Sequence, residues 1–375
     1  MALVSVLSIF GALCWWCLVL FPWRPWSTDE HIETQEYHAS DERLQDITVL
    51  IPARNEGAYI GRTLSGVKAQ SEHIQMIVID DQSTDDTAEQ AKQFDATVIS
   101  GTAPPVGWSG KLWALEQGLG EVKTPYVLLL DADIELTPGI VSELLRKAHQ
   151  ENLTMVSLMA QPPMENFIER LLMPAFIFFF KLLYPFALVS KAESCMAAAA
   201  GGCILVQTQA LRSAGAFACL HDALIDDCTL AAHIKRAGNR IFLGLSHAAR
   251  SHRGYHELKP IWEMVARTAF TQLKYSPWLL AACTLIMIAM FWLAPFAFLL
   301  SQSPELHLIG TLAWIAMFST YLPTLTYYQR SPLWGFALPV IGTLYLAMTW
   351  TSAIRYWRGE RASWKDRRYE SKTNH

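Results

Sequence analysis

The sequence predicts an α/β fold, a mostly parallel sheet flanked by helices, held between apolar segments that cross a membrane. Three observations lead there. Between residues 44 and 275, short β-branched or leucine-rich runs alternate with helical patterns, which implies right-handed crossovers and parallel strands. Uncharged stretches near the length a helix needs to cross a bilayer flank this region. Hydrophobic residues make up 52% of the 375, and 14 are Trp, which is too apolar for a wholly soluble chain of this size.

Residues 1–23 form the first element. The run from 2 to 21 holds no charge and Arg24 follows it, whereas a cleavable signal peptide carries its basic residues first and small residues at its end. Bulky Phe21, Trp23 and Trp26 close the run, so it is read as a retained transmembrane anchor. Arg24 and the interfacial tryptophans direct the N-terminus outward and the next domain into the cytoplasm. A polar, acidic linker occupies 24–43.

Within the domain at 44–275, Ile47-Thr48-Val49-Leu50-Ile51 is a strand stopped by Pro52, and a helical pattern runs from Ala58 towards Gln70. Met76-Ile77-Val78-Ile79 is the second strand, closed by Asp80-Asp81-Gln82-Ser83-Thr84-Asp85-Asp86 before a helix over 87–94 with Asp85 or Asp86 near its start. Thr97-Val98-Ile99 is a third strand, and a helix over 111–118 follows. Val127-Leu128-Leu129-Leu130 is a strand buried on both faces, ending in Asp131-Ala132-Asp133-Ile134-Glu135. The apolar stretch 167–190, interrupted by Pro174, Lys181 and Pro185, reads as a helix lying in the membrane interface, because a span here would split the domain across the bilayer. A buried core helix is the alternative. A small-residue run ending in Gly201-Gly202 leads into the strand Cys203-Ile204-Leu205-Val206. Leu224-Ile225-Asp226-Asp227-Cys228-Thr229-Leu230 then opens a helix to about Gly238, and a last strand lies near Ile241-Phe242-Leu243.

Residues 278–354 contain three further apolar stretches, 278–300, 308–322 and 333–354. The first and third are long enough to span; the second is so only if it reaches Tyr327. The basic tail, 355–375, belongs on the cytoplasmic side. Three complete spans after a cytoplasmic domain would place it outside. Either one stretch is re-entrant, the middle one or the segment with Pro339 and Gly342, or the charge rule misleads here. The formal charge of -4 and the lack of a long basic stripe in the globular part speak against a nucleic-acid partner. Seven cysteines are scattered, and the Cys14-x-x-Cys17 pair sits in an apolar run with no second pair, which argues against a metal or redox role and fits a reducing compartment.

Polar loops that follow the strands of a parallel sheet collect along one edge, where ligands of such sheets bind. Asp131 and Asp133 at that edge are placed to share a divalent cation, Mg²⁺ or Mn²⁺, with a diphosphate, although an acidic turn after a buried strand is common by itself. Asp81 could accept from a base or ribose, and Lys111, on the turn Gly107-Trp108-Ser109-Gly110-Lys111, could meet phosphate as a point charge. Helix capping and a solvated lysine are the plain alternatives. Asp226-Asp227 reads either as an N-cap with its dipole partner or as a base that takes a hydroxyl proton while a sugar acquires oxocarbenium character. Gly201-Gly202 would let an acceptor or donor sugar approach the backbone, or is a turn. Arg267 would balance diphosphate charge, or face lipid headgroups.

The series Ile51-Pro52-Ala53-Arg54-Asn55-Glu56, Asp80-Asp81-Gln82-Ser83-Thr84-Asp85, Gly110-Lys111, Asp131-Ala132-Asp133, Gly201-Gly202 and Asp226-Asp227-Cys228-Thr229-Leu230 resembles the family 2 glycosyltransferases of GT-A fold, over roughly residues 47–243. Gly107-Trp108-Ser109-Gly110-Lys111-Leu112-Trp113-Ala114, Pro174-Ala175-Phe176-Ile177-Phe178-Phe179-Phe180, Leu183-Tyr184-Pro185-Phe186-Ala187 and Met264-Val265-Ala266-Arg267-Thr268-Ala269-Phe270 are similar to the hopanoid-biosynthesis-associated branch of bacterial membrane glycosyltransferases. The resemblance implies Asp81 at the uracil, Asp131 near the ribose, Asp133 on the metal, and Asp227 as base with Asp226 beside it. It also places Pro52, Arg54, Glu56, Lys111 and Arg267 on the donor side and Gly201 and Gly202 on the acceptor side. Processive and other lipid-using members carry Gln-x-x-Arg-Trp near the first C-terminal span, whereas this chain has Met264-Val265-Ala266-Arg267-Thr268, keeping only the arginine, which argues against a polysaccharide synthase.

The resulting expectation is an inverting, metal-dependent transfer of sugar from a nucleotide-sugar, a UDP-sugar by resemblance, to a lipid hydroxyl in hopanoid biosynthesis. The enzyme would sit in the bacterial inner membrane as a multi-pass protein with its catalytic domain in the cytoplasm. A polyprenyl-phosphate or ceramide-like acceptor is the alternative within the class. A membrane nucleotidyltransferase would show a glycine-rich loop where Pro52-Ala53-Arg54-Asn55-Glu56 stands, and a non-catalytic scaffold would not fill every role.

Overall fold

Every residue of Ile47–Ala53 is buried, as a strand covered on both faces requires, and this strand lies inside the central sheet. The computed structural model describes residues 2–34, 42–220, 225–299 and 303–360, with the backbone of 363–364 and 367–368. Part of the 24–43 linker, Leu224 and most of the basic tail lie outside the described residues.

In chain order the elements are α1 (Ala2–Leu20), β1 (Ile47–Ala53), α2 (Ile60–Lys68), β2 (Gln75–Asp80), α3 (Thr87–Lys92), β3 (Thr97–Ser100), α4 (Gly110–Leu119) and β4 (Tyr126–Leu130). There follow β5 (Ile134–Leu136), α5 (Ile140–Gln150), β6 (Met155–Gln161), α6 (Phe167–Leu183), α7 (Phe186–Ser190), β7 (Cys203–Gln207), α8 (Thr208–Ser213), α9 (Asp226–Arg236) and β8 (Ile241–Ser251). The last four helices are α10 (Leu258–Gln272), α11 (Pro277–Ile288), α12 (Pro304–Tyr327) and α13 (Leu338–Trp357).

These elements form two compact units. One holds Glu30–Pro163 and Leu188–Gly254; the other holds Met1–Asp29, Met164–Ala187 and Tyr255–Glu360. This differs from the expected domain at 44–275, because 164–187 and the stretch after Gly254 pack with the apolar helices.

In the first unit the strand order is β3-β2-β1-β4-β7-β6-β8-β5. The strands β3, β2, β1 and β4 run parallel, and so do β6 and β8. Antiparallel pairing enters through β7, against β4 and β6, and through β5, against β8. The sheet is therefore mixed: parallel where strand and helix alternate regularly, antiparallel where they do not. The physical reason at β7 is its approach. It arrives through coil, sets Cys203 opposite Leu130, and lets the Asp131 N–H donate to the Gly202 carbonyl at 3.0 Å. Strands β5 and β6 lie outside the runs picked out from the sequence, and β8 extends well past Leu243.

In the second unit, Trp15 of α1 is fully buried and its Nε1 donates to the Met290 carbonyl at 2.8 Å, while Ser8 Oγ donates to the Leu293 carbonyl at 3.0 Å. Those carbonyls belong to a π-helical turn, Ala289–Leu293, that ends the helical run begun by α11. A wide turn breaks the regular ladder, and in an apolar setting side chains from a neighbour must complete it. Helices α11 and α13 run antiparallel: Trp350 Nε1 reaches Thr284 Oγ1 at 3.0 Å and Trp292 Nε1 reaches Thr343 Oγ1 at 2.8 Å.

Among the described residues, three helical segments are long and apolar enough to cross a membrane: Leu3–Leu20, Pro304–Tyr327 and Pro332–Trp357. The middle C-terminal stretch therefore does reach Tyr327. A bend of 117° lies just before the first stretch, where Pro277–Leu293 follows α10. Helix α6 also differs from the interfacial placement. Leu172, Phe178 and Lys181 are all buried, Phe178 packs on Tyr321, and Phe179 packs on Tyr345, so α6 is a core helix of this unit.

Candidate active site

Strand register brings the polar loops together. Ala53 pairs with Asp80 and Leu130 with Cys203, so Arg54, Asp81, Asp131 and Gly202 start from one edge of the sheet. The loops after β1 and β2 are latched: Asn55 N–H donates to Ser83 Oγ (3.0 Å), Thr84 N–H to Asn55 Oδ1 (2.8 Å), Glu56 N–H to Thr87 Oγ1 (2.8 Å) and Gly57 N–H to Asp85 Oδ2 (3.0 Å). Asn55 and Gln82 adopt left-handed backbone, with φ of 52° and 57°, which turns each loop sharply over the strand end. Asp81 is 1% exposed; Arg54 Nη1 donates to its carbonyl at 2.6 Å and lies 3.9 Å from its carboxylate. Pro52, Arg54, Glu56 and Asp81 thus form one rigid corner.

The second cluster lies around an open cleft of about 370 Å³. Ser109 caps α4 through the Leu112 N–H, and the first turn of that helix aims Lys111 at Asp131, 2.5 Å from Nζ to Oδ1. Asp227, in the first turn of α9, accepts from Gly201 N–H at 2.8 Å and from Cys228 N–H at 2.7 Å, and its own N–H donates to Asp226 Oδ1 at 3.0 Å. Pro52, Lys111, Asp131, Gly201, Asp226 and Asp227 all line the cleft, with leucine, isoleucine and phenylalanine side chains filling the remainder of its wall.

Electrostatics follow from this crowding. Burial and repulsion from Asp226 push Asp227 up to about 6, against the backbone N–H groups and Lys111, which favour its charged form. Burial opposes the Lys111 ammonium, but Asp131, Asp226 and Asp227 outweigh it and hold Lys111 firmly protonated. Burial also raises Asp131, with Lys111 pulling it down and Asp133 pushing it up. About a third of the Asp131 side chain remains exposed (33%), so solvent screens part of that effect.

A third group forms around Asp133. Its Oδ2 accepts from Ser251 Oγ at 3.0 Å and lies 3.3 Å from Arg253 Nε. Arg253 Nη2 donates to both carboxylate oxygens of Glu56 at 2.6 Å, and its guanidinium lies 5.2 Å from the Tyr59 ring centre. His252 donates its backbone N–H to the Asp133 carbonyl and contacts Glu135 through Nε2. Ser251, His252 and Arg253 were not among the residues the sequence singled out; their signal is a polar triplet closing a strand, hidden by the underestimated length of β8.

Both glycines hold site carboxylates in place: Gly201 through its N–H to Asp227, Gly202 through its carbonyl to the Asp131 N–H. Asp131 is paired with Lys111 and Asp133 with Arg253. Arg267 is exposed on α10, which belongs to the second unit. Among the described residues, no group of three or more His, Cys, Asp or Glu is arranged to hold a metal ion. The donor set fits a hard cation held by one or two carboxylates and completed by phosphate oxygens, the way Mg²⁺ is commonly bound, and not a protein-only cage.

Residues 48–211 match the family described as Glycosyl transferase family 2. A 4,4'-diaponeurosporenoate glycosyltransferase of Staphylococcus haemolyticus (strain JCSC1435) is 38% identical over 97 residues, 25% of this chain and 26% of the relative. Its counterpart in Staphylococcus aureus (strain bovine RF122 / ET3-1) is 37% identical over 91 residues, 24% of each chain. The chain thus spans about a quarter of the length of the curated relatives it matches. Among solved structures, the mannosyltransferase PcManGT from Pyrobaculum calidifontis, in complex with GDP-Man and Mn²⁺, is similar with a TM-score of 0.56 and 17% identity, over 96% of this chain and all of that one (100%). That likeness is one of fold, and it agrees with the GT-A architecture. Family 2 glycosyltransferase character is supported by the sequence match and by the relatives together.

Proposed function

We propose that the protein is an inverting glycosyltransferase that moves a sugar from a nucleoside-diphosphate sugar to a hydroxyl of a membrane lipid. The observation that carries this is Asp227, fixed by two backbone N–H groups in the lining of a cleft it shares with Asp131 and Lys111. A carboxylate raised to about 6 is largely ionised at neutral pH yet more basic than an ordinary aspartate, which suits a general base. In the step envisaged, the acceptor oxygen attacks the anomeric carbon from the Asp227 side while the bond to the diphosphate breaks on the opposite face. The hydroxyl proton passes to an Asp227 carboxylate oxygen. Lys111 meets the charge growing on the leaving diphosphate. Asp81 and Arg54 form the corner for the base and ribose, with a UDP-sugar the first donor to test. A divalent cation bound at Asp133 and Asp131 would neutralise the remaining diphosphate charge.

Relatives named for 4,4'-diaponeurosporenoate, a lipid-like molecule, and candidate spans at both ends of the chain support a lipid acceptor. The branch resemblance favours a hopanoid or its precursor. With α1 as an outward-starting anchor, the sheet unit is cytoplasmic, in a bacterial inner membrane. Taken as re-entrant, the bent α10–α11 pair would let the basic tail also end inside.

The test is transfer of radiolabelled sugar from a panel of nucleotide-sugars to purified hopanoid alcohols and to polyprenyl phosphate, using detergent-solubilised protein and its Asp227→Asn variant. Transfer to the alcohol that falls at least a hundredfold in Asp227→Asn, with folding retained, supports the reading. Transfer to polyprenyl phosphate alone would replace the acceptor. Equal activity in the variant would remove Asp227 as base.

A further inference from the structure

We propose that Arg253 is the counter-ion that Asp133 exchanges for a divalent cation, so that the cation binds together with a nucleoside diphosphate and only weakly without one. This rests on the donor-site reading above and concerns a residue to which that reading gives no part.

The argument starts from where the charges are. Asp133 is one of the two carboxylates that could ligate a cation at this edge, and its Oδ2 already has the Arg253 Nε at 3.3 Å and the Ser251 hydroxyl at 3.0 Å. Asp131 is likewise paired with Lys111 at 2.5 Å. A bare divalent cation arriving at either carboxylate meets a fixed positive charge next to it, and like charges at such separations repel strongly where solvent is partly excluded. A nucleoside diphosphate changes the sign of that balance. Its phosphate oxygens supply the missing ligands and give Lys111 and Arg253 a new anion to pair with.

Arg253 is built for such an exchange. Nη2 stays tied to both Glu56 oxygens at 2.6 Å, and the guanidinium carbon lies 5.2 Å from the Tyr59 ring centre. The Glu56 carboxylate is nearly fully buried, with 7% of its side chain exposed, so this tether is the firm one. The contact to Asp133 is longer and uses a different nitrogen, Nε. Losing it leaves the side chain anchored, free to turn Nε and Nη1 towards a phosphate by rotation about its last bonds. Glu56 therefore acts as a positioning residue and Arg253 as the group that answers the diphosphate.

The experiment is Mn²⁺ binding to the full-length protein in detergent, followed by electron paramagnetic resonance of free Mn²⁺, with and without UDP and GDP. Wild type is expected to bind Mn²⁺ at least tenfold more tightly with nucleoside diphosphate than alone. Arg253→Met is expected to bind Mn²⁺ alone about tenfold more tightly than wild type, and nucleoside diphosphate with Mn²⁺ about tenfold more weakly. Arg253→Lys keeps the charge without the tether to Glu56 and should recover neither pattern fully; circular dichroism checks that both variants are folded. Unchanged affinity for Mn²⁺ alone in a folded Arg253→Met, with nucleotide binding intact in wild type, overturns this inference and leaves the donor site standing. Failure of wild type to bind either nucleotide in the presence of Mn²⁺ overturns both.

Discussion

Replacing Asp226 by Asn gives the sharpest check on the electrostatics of the cleft. The substitution removes one charge and keeps the oxygen that accepts the Asp227 N–H at 3.0 Å, so the first turn of α9 is preserved. Burial is the larger cause of the raised Asp227 value of about 6, and Asp226 is the next. For a base titrating near 6, roughly 9% is ionised at pH 5 and about 99% at pH 8, so the wild-type rate at pH 5 should be about a tenth of its plateau. The two carboxylates interact, so the apparent value belongs to the pair. Without Asp226 the acid limb moves to lower pH. Were the whole displacement lost, the value would return to about 3.9 and the pH 5 rate would rise to about 0.9 of the plateau. Because burial persists, a ratio of roughly 0.2 to 0.5 is expected. The assay is the pH dependence of sugar transfer at saturating donor, normalised to each protein's own plateau. An acid limb that stays in place, or moves up, would refute the assignment of that limb to Asp227.

Three further outcomes follow from the same contacts. Asp227 is raised when folded, so its contribution to stability is present below about pH 4 and lost as pH rises through about 6; Asp227→Asn should therefore raise Tm at pH 8 and have little effect at pH 4. The gain at pH 8 should be about 1 kcal/mol, since the amide gives up one charge-assisted contact to Gly201 or Cys228. A Cβ on Gly201 would sit 3.2 Å from Asp227 Oδ2, so Gly201→Ala should displace the base by a few tenths of an ångström and lower the transfer rate roughly tenfold, with nucleotide affinity by calorimetry unchanged. A Cβ on Gly11 would run into the backbone carbonyl of Ala289, so Gly11→Ala should force α1 away from the π-helical turn and cost about 1–3 kcal/mol in thermal unfolding in detergent, leaving nucleotide binding by the sheet unit intact.

What the sequence made legible was local. A strand ending in its own polar loop carries fold and candidate chemistry in the same few residues, so Asp81, Asp131 and Asp133 could be picked out as candidates before any packing was known, as could Asp226-Asp227 at a helix start. The apolar run 278–300 shows the opposite case. Every residue in it suits a bilayer, so hydropathy gives no sign that the chain bends by 117° before it and leaves α-helical geometry at Ala289. That break depends on side chains from α1, Trp15 and Ser8, reaching carbonyls far along the chain. Helix α6 was ambiguous for a related reason. A helix apolar on nearly every side reads alike in an interface or in a core, and only its partners Tyr321 and Tyr345 decide.

Arg253 was hidden by sequence distance. Its partners include Glu56, 197 positions earlier, and no local pattern marks an arginine that will meet a carboxylate there. The clue lay in β8. Past Leu243 the strand carries Leu245, Ala248 and Ala249 around Ser246-His247, and Ser251-His252-Arg253 then closes it as Asp131-Ala132-Asp133 closes β4. The two closures belong together: β5, immediately after Asp133, pairs antiparallel with the end of β8, with Ile134 opposite Ser251, and the His252 N–H donates to the Asp133 carbonyl. The short strand that sequence periodicity passes over is thus what brings a cation to the carboxylate. In this fold the acidic loop needs its antiparallel neighbour before its charge is balanced.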